Sequence, residues 1–168
     1  MSEVAQGAAG NSIVPVRATD LPALLALNND HAAELSLLEL AGLERLIANA
    51  AVALQSADAT AFVVAFDEVA HYDSPNFLWF QARFDRFLYV DRVVVAKAAR
   101  GRGLARALYE SVFAEADSRK SRRIVCEINL NPPNPDSVRF HEALNFRQLG
   151  SARLDGGAKT VGYYERSV

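Results

Sequence analysis

A basic, glycine-bearing turn is the stretch of this chain whose composition most clearly indicates chemistry. It runs from Arg100 to Gly103, after a β-branched run that ends at Val95 and before an amphipathic helical pattern that starts at Leu104. The first N–H groups of a helix have no partner within the helix, the helix dipole favours negative charge there, and glycine lets a phosphate come close. With Arg106 one turn further along, the sequence predicts a site for a pyrophosphate.

Two carboxylates and a histidine are the candidates for proton transfer. Asp91 and Glu127 lie in strand-like runs, and His141 lies in a helical pattern. A carboxylate can accept a proton from an ammonium group, and an imidazole titrates near neutral pH. Asp91 precedes Val93 by two residues, so alternation along a strand places both side chains on the same face.

Three glycine-turn chemistries compete for the basic turn. A P-loop requires a Lys-Ser/Thr pair directly after its last glycine, and Leu104 and Ala105 follow Gly103 instead. A dinucleotide-binding turn requires a third glycine where Arg106 stands, and that turn usually comes early in its domain. The third pattern, R/Q-x-x-G-x-G/A, is matched by Arg100, Gly103 and Ala105.

A downstream segment makes a family resemblance specific. Together with the turn, the run from Asn134 to Phe146 resembles the GNAT superfamily of N-acetyltransferases, in which a segment N-x-x-A-x-x-F-Y-x-x-x-G-F follows the turn. His141 stands where that segment usually has tyrosine, and Asn145 where it usually has glycine. The resemblance covers most of the chain and implies transfer of an acetyl group from acetyl-coenzyme A to a primary amine.

The resemblance also implies a fold and a coenzyme site. The implied fold is a mixed α/β (α+β) domain over residues 13–168, with a mostly antiparallel sheet, helices on both faces and splayed central strands. Backbone groups of the valine run would pair with the pantetheine arm, turn N–H groups would hold the pyrophosphate, and Asn134 would contact the pantetheine end. The residues implied to bind the coenzyme are Val93, Val94, Val95, Arg100, Gly101, Arg102, Gly103, Leu104, Ala105, Arg106, Asn134 and Phe140.

The catalytic roles implied by the resemblance leave alternatives open. Glu127 is the first candidate for the base, acting directly or through water, against a solvated residue paired with an arginine. Asp91 is the second candidate, against an ion pair with Arg92 or Arg123. His141 either protonates the coenzyme A thiolate or packs on the coenzyme while water supplies the proton.

Composition limits the remaining possibilities. The 168 residues carry a net charge of −2 and are 51% hydrophobic, which is typical of a globular protein and argues against a general nucleic-acid binder. A single cysteine, Cys126, excludes an internal disulfide, and the three scattered histidines show no metal-ligand spacing, so we expect no metal. No apolar run approaches a membrane span and no signal peptide is evident, so we expect a cytoplasmic protein. Residues 1–12 are small and polar and are predicted to be a flexible leader.

Hydrophobic periodicity predicts the order of elements. Strands are expected at 13–17, 60–66, 87–95 and 123–128, and a hairpin at 146–154 and 159–165 around Asp155-Gly156-Gly157. Helices are expected from Leu21 to the polar Asn28-Asn29-Asp30 break, and over 36–54, 75–84, 104–118 and 136–144. In the second helix the predicted buried stripe is Leu37, Leu40, Leu43, Leu46, Ile47 and Ala50.

Three functions remain open from the sequence. The first is an acetyltransferase acting on a small-molecule or protein amine, with a homodimer through the terminal hairpin allowed by the resemblance. The second is a coenzyme-A-binding regulatory module without transfer. The third is a binder of nucleotide phosphates.

Overall fold

Seven strands form one sheet in the part of the chain described by the computed structural model, residues 9–168. Their order is β1-β2-β3-β4-β5-β7-β6. The strands are β1 (Ile13–Pro15), β2 (Val52–Ser56), β3 (Ala61–Asp67), β4 (Phe87–Val95), β5 (Arg123–Asn131), β6 (Arg147–Leu154) and β7 (Lys159–Ser167). The helices are α1 (Leu21–Asp30), α2 (Leu40–Asn49), α3 (Pro75–Gln81), α4 (Leu104–Ser118) and α5 (Pro135–Ala143). The predicted mixed α/β fold with a mostly antiparallel sheet is confirmed.

One compact unit contains the described part of residues 1–66 together with 92–115. Its strands β1, β2 and β3 are antiparallel, and β1 lies at the edge of the sheet, where Pro15 needs no ladder partner on its outer side. The centre of this unit is β3, whose residues from Ala61 to Phe66 are all fully buried. Helix α4 adds Leu104, Leu108 and Val112 to the core at the spacing that the sequence predicts.

The predicted helix over 36–54 is wrong in its length. Helix α2 ends at Asn49, and Val52–Ser56 form β2, which pairs with β1 and β3. A short apolar run of this length is compatible with a helix or with a strand. Hydrogen bonding to β1 on one side and to β3 on the other makes this segment a strand. The buried stripe is also smaller than predicted, because Leu43 is fully buried while Leu37 and Leu40 are exposed.

The predicted leader falls mostly outside the described residues, which begin at Ala9. Over residues 9–12 the chain makes specific contacts. The Asn11 side chain accepts hydrogen bonds from Arg102, and the Ser12 carbonyl accepts one from the Ala57 N–H at 2.8 Å.

The second compact unit contains residues 67–91 and 116–168. Strands β5, β7 and β6 are antiparallel neighbours, and β6 and β7 form the predicted hairpin around Asp155–Gly157. Helix α3 begins at Pro75 as predicted, although it ends at Gln81 rather than at Phe84. Its Phe77 and Phe80 are fully buried.

Strands β4 and β5 are parallel neighbours over a short distance. Their register covers Phe87, Leu88 and Tyr89 opposite Arg123, Ile124 and Val125, and it stops there although both strands continue. Parallel pairing with an early end agrees with the splayed central strands that the resemblance implies.

Candidate active site

The basic turn adopts the backbone conformation that a phosphate site requires. Gly101 and Gly103 have φ values of +82° and +77°, a region that side-chain-bearing residues avoid. A Cβ built on either glycine meets no atom within 4 Å, so both face open space. Leu104 begins α4 directly after the turn, and the first N–H groups of that helix have no partner within the helix. The turn therefore fits the diphosphate of a coenzyme.

Arg102 has a different role from the other two arginines. Its guanidinium donates to Asp58 at 2.8 Å and to Asn11 at 2.6 and 2.8 Å, while the Arg100 and Arg106 side chains are exposed. Partial burial alone would raise the pKa of Asp58, but hydrogen bonds from Thr60, Arg102 and Ser56 outweigh it and lower the pKa to about 2. Asp58 is thus anionic, and its ion pair with Arg102 ties the turn to the segment that precedes β3.

The first and last side chains of the valine run before the turn are partly accessible to solvent. Val94 is buried, and Val93 and Val95 are half-buried on the opposite face of β4. Directly after this run, the Ala96 N–H donates to the Thr60 carbonyl at 2.8 Å.

Two carboxylates, each with a tyrosine hydroxyl as donor, form a cluster in the second unit. The Tyr89 hydroxyl donates to Glu127 Oε2 at 2.7 Å, and the Tyr72 hydroxyl donates to Asp91 Oδ1 at 2.7 Å. On β7, Tyr163 is the register partner of Glu127. Asp91, Glu127, Tyr72, Tyr89 and Tyr163 are called the carboxylate–tyrosine cluster below.

Glu127 holds a proton more tightly than an ordinary glutamate does. Burial and the negative charge of Asp91 raise the pKa of Glu127 to about 7, against the opposing effects of the Tyr89 hydrogen bond and Lys159. Burial, followed by the charges of Glu127 and Asp91, raises the pKa of Tyr89 well above its ordinary value. Tyr89 therefore stays protonated and donates to Glu127 throughout the working pH range.

His141 is buried within its own helix and the following turn. Its Nδ1 lies 2.7 Å from the Ser137 carbonyl, which can only accept, so this nitrogen carries the proton. The rings of Phe140 and Phe146 meet the imidazole edge-on at 5.3 and 5.2 Å. Burial lowers the pKa of His141, although the bond to Ser137 opposes this. The imidazole is therefore neutral at pH 7, with the tautomer whose Nε2 is an acceptor.

Asn134 caps the helix that carries His141. Its side-chain oxygen accepts from the Ser137 N–H at 3.3 Å, and its own N–H donates to the Asn129 carbonyl. At the other end of α5, Asn145 has a φ of +67°, so it takes the left-handed conformation that glycine usually supplies and that the sequence suggested.

The connection between α1 and α2 is held by a buried polar network. Arg92 donates to Asn28 at 2.8 Å, and Asn28 in turn donates to the Ser36 carbonyl. The Asn29 side chain makes two 3.0 Å bonds with the backbone of Leu38. Arg92 and Asn28 are buried, whereas the Leu37 side chain between the two anchored positions is 70% exposed.

Sequence comparison assigns the chain to a family. The acetyltransferase (GNAT) family profile matches residues 40–146, which is more than half of the chain. The chain belongs to the GNAT acetyltransferase family. It is therefore an N-acetyltransferase with acetyl-coenzyme A as its cosubstrate. No match was found among curated protein sequences.

Solved GNAT structures share the fold at low sequence identity. The ribosomal-protein-alanine N-acetyltransferase from Brucella melitensis is 20% identical, with a TM-score of 0.72, covering 94% of this chain and 99% of that one. Ard1 from Thermoplasma volcanium is 12% identical with a TM-score of 0.75, covering 94% and 97%. NAA60 from Arabidopsis thaliana, solved in complex with acetyl-CoA, is 17% identical with a TM-score of 0.73, covering 94% and 99%.

Several residues important to this acetyltransferase site carried no recognisable sequence signal. Tyr72 lies in an irregular segment without hydrophobic periodicity, and Asp58 lies in a turn far from the motif that it braces. The bond from Tyr89 to Glu127 was also not expected, although Glu127 was a candidate base. Alternation along β4 and β5 is the one signal that could have brought them together.

Residues 9–168 contain neither a group of metal ligands nor a helix suited to cross a membrane. In that part of the chain no three His, Cys, Asp or Glu side chains are grouped to hold a metal ion. None of its helices combines the length and the apolar character that crossing a bilayer requires.

Proposed function

We propose that this acetyltransferase transfers the acetyl group directly to a primary amine, with Glu127 as the general base. The observation that carries the proposal is the Glu127 carboxylate, half-buried, hydrogen-bonded to Tyr89 and with its pKa raised to about 7. An amine reaches the enzyme largely as an ammonium, which has no lone pair, so a group of this strength is needed to take its proton.

The proposed step balances without another reactant. Glu127 takes one proton from the ammonium, and the nitrogen lone pair then forms the N–C bond to the thioester carbon. The C–S bond breaks, the electron pair leaves on sulfur, and the second amine proton neutralises the thiolate through solvent. We place no acid role on His141, because a neutral imidazole with its proton on Nδ1 has none to give from Nε2. Its bond to the Ser137 carbonyl links the two ends of α5, the helix that Asn134 caps and that carries Phe140.

The acceptor we propose is the α-amine of a peptide or protein. An α-ammonium has a pKa of roughly 8 and a lysine ammonium of about 10.4, so transfer to a base of pKa about 7 costs about 1.4 and 4.6 kcal/mol respectively. Two structural relatives are named ribosomal-protein-alanine N-acetyltransferases, and alanine carries no side-chain amine. The two carboxylates of the carboxylate–tyrosine cluster also favour the binding of a positively charged ammonium group.

The test measures coenzyme A release from acetyl-coenzyme A with two matched peptide sets. One set has a free N-terminus and no lysine, and the other has a blocked N-terminus and one lysine. We expect turnover on the first set, reduced by about 10²- to 10⁴-fold in Glu127→Gln and unchanged in the exposed control Glu44→Gln.

Two results contradict the proposal. Faster turnover on the blocked lysine peptides would reject the α-amine as acceptor. Tight coenzyme A binding without turnover on any amine would instead support the regulatory module that binds the coenzyme only.

A further inference from the structure

The basic turn places one arginine between two glycines that have no side chain to pack. Gly101 and Gly103 have φ values of +82° and +77°, and a Cβ built on either meets no atom of residues 9–168 within 4 Å. Glycine loses more conformational freedom on ordering than any other residue, so a turn with two glycines needs restraint from elsewhere to keep one conformation. Arg102 lies between them and has the side chain that can supply this restraint.

The Arg102 guanidinium is held by two residues that lie 44 and 91 positions earlier in the chain. Asn11 Oδ1 accepts from Nε at 2.8 Å and from Nη2 at 2.6 Å, and Asp58 Oδ2 accepts from Nη2 at 2.8 Å. The guanidinium is planar and presents its donors in a rigid fork, so three bonds to two partners fix its orientation. Asn11 and Asp58 together therefore restrain the residue at the centre of the turn.

Asn11 is itself fixed by the backbone that follows it. The Ser12 carbonyl accepts from the Ala57 N–H at 2.8 Å, and Ile13, the first residue of β1, is paired with Ser56 of β2. All of these residues belong to the first compact unit. The contact between Asn11 and the turn thus starts from an ordered part of the chain.

Asp58 is fixed through its second oxygen. Its Oδ1 accepts from the hydroxyls of Thr60 at 2.7 Å and Ser56 at 2.8 Å, while Oδ2 accepts from Arg102. Gly10 lies directly against this ion pair, because a Cβ built there would come within 3.1 Å of Asp58 Oδ2 and 3.3 Å of Arg102 Nη2. The segment before β1 therefore contacts the ion pair with its backbone as well as with the Asn11 side chain.

We propose that Asn11 is a positioning residue for acetyl-coenzyme A, which through Arg102 holds the turn from Arg100 to Gly103 in the conformation that binds the diphosphate. A turn that is ordered beforehand loses little conformational entropy when its ligand binds, so the ligand binds more tightly. Asn11 acts through the Arg102 side chain and touches no reacting atom. This inference does not depend on the role proposed for Glu127, and it rests on the turn as the diphosphate site.

Calorimetric titration of the full chain with coenzyme A measures the effect. We expect Asn11→Ala to raise the Kd for coenzyme A about three- to tenfold, which is the effect of losing one hydrogen bond. The matched control is Asn49→Ala, which removes an exposed asparagine of the same unit whose side chain donates only to the Arg45 carbonyl of its own helix. The control should bind coenzyme A as wild type does.

A double-mutant cycle measures whether Asn11 acts through Arg102. In the Arg102→Ala background, Asn11→Ala should change the Kd no further, because the guanidinium that it holds is absent. Fully additive effects of the two substitutions overturn the inference. An unchanged Kd in Asn11→Ala, accompanied by lower stability in urea, identifies a purely structural role and also overturns it.

Gly101→Val tests the turn separately from its restraint. Its side chain would fill the open space beside the turn and would be strained at a φ of +82°, so we expect coenzyme A binding to weaken more than about tenfold. Weakened binding in Gly101→Val with unchanged binding in Asn11→Ala rejects the role of Asn11 alone. Unchanged binding in both variants rejects the turn as the diphosphate site as well.

Discussion

Replacing Glu127 with glutamine should make the protein more stable at alkaline pH while it removes the base. Glutamine has nearly the same shape, and its carbonyl oxygen can still accept from the Tyr89 hydroxyl, so the substitution mainly removes titration. The pKa of Glu127 is about 7 in the folded protein against an ordinary value of 4.5. Between these values the folded state holds a proton that the unfolded state releases. The free energy of unfolding therefore falls as pH rises through that window, and the loss is complete above pH 7.

The magnitude follows from the shift. A displacement from 4.5 to about 7 corresponds to at most about 3.4 kcal/mol at 1.36 kcal/mol per unit, and less to the extent that water reaches the half-buried carboxylate. For a chain of 168 residues the upper bound is roughly 7–14 °C in Tm. We expect the full gain in unfolding free energy at pH 8. It should shrink towards zero near pH 4.5, where the carboxyl is protonated in the folded protein.

Urea unfolding of wild type and Glu127→Gln at pH 4.5, 6 and 8 measures this difference. The exposed Glu44→Gln variant controls for the general effect of removing one negative charge. A stability difference that is the same at all three pH values, or a variant less stable than wild type at pH 8, would refute the assignment of a raised pKa to Glu127.

Three further predictions concern the turn and the histidine. Asp58→Asn should weaken coenzyme A binding in calorimetry about three- to tenfold with kcat unchanged, because Arg102 loses its ionic anchor; equal affinity contradicts the bracing role. Gly103→Ala should cost about 1–2 kcal/mol of unfolding free energy, since φ is +77° there, and a neutral result in denaturant would contradict the strain. His141→Gln should lower stability by about 1–3 kcal/mol but leave the pH dependence of kcat from pH 6 to 9 unchanged, because its Nδ1 proton is engaged by Ser137. Selective loss of its basic limb would restore the acid role.

The sequence predicted most accurately the elements for which hydrophobic periodicity and turn residues indicate the same boundaries. Strand β4 and helix α4 have the predicted bounds, because glycines separate a β-branched run from a clear helical stripe. β2 was missed because Val52–Ser56 also fits the preceding helical period, and only its pairing with β1 and β3 excludes the helix. Local periodicity cannot report such partners, which lie far away in sequence.

The candidate site was predictable as a set of residue types and less so as a set of contacts. The turn from Arg100 to Gly103 was found because glycine conformation and charge are local properties. The ion pair of the Arg102 guanidinium with Asp58 was not predicted, because Asp58 lies 44 residues away in the sequence. Similarly, the sequence offered Glu127 and Asp91 as rival bases. The structure gives each of them a tyrosine donor, and burial raises the pKa of Glu127 to about 7, which no local pattern could indicate.

The acids of this chain differ in the charge of their hydrogen-bond donors. Glu165 is almost fully buried and accepts from Arg123 at 2.6 Å and Arg147 at 2.8 Å, so its charge is compensated. Asp58 likewise accepts from Arg102. An arginine partner stabilises a carboxylate and weakens it as a base.

Glu127 receives a neutral tyrosine hydroxyl as its donor, with the negative charge of Asp91 as a neighbour. That arrangement costs folding free energy at neutral pH, as worked out above, and a chain selected for stability alone would favour an arginine there, as at Glu165. The cost is understandable if the carboxylate must remain able to take a proton from an ammonium, because an acid with a pKa near 4 would leave that proton on the amine. The raised pKa of Glu127 therefore supports the role as base that we propose for it.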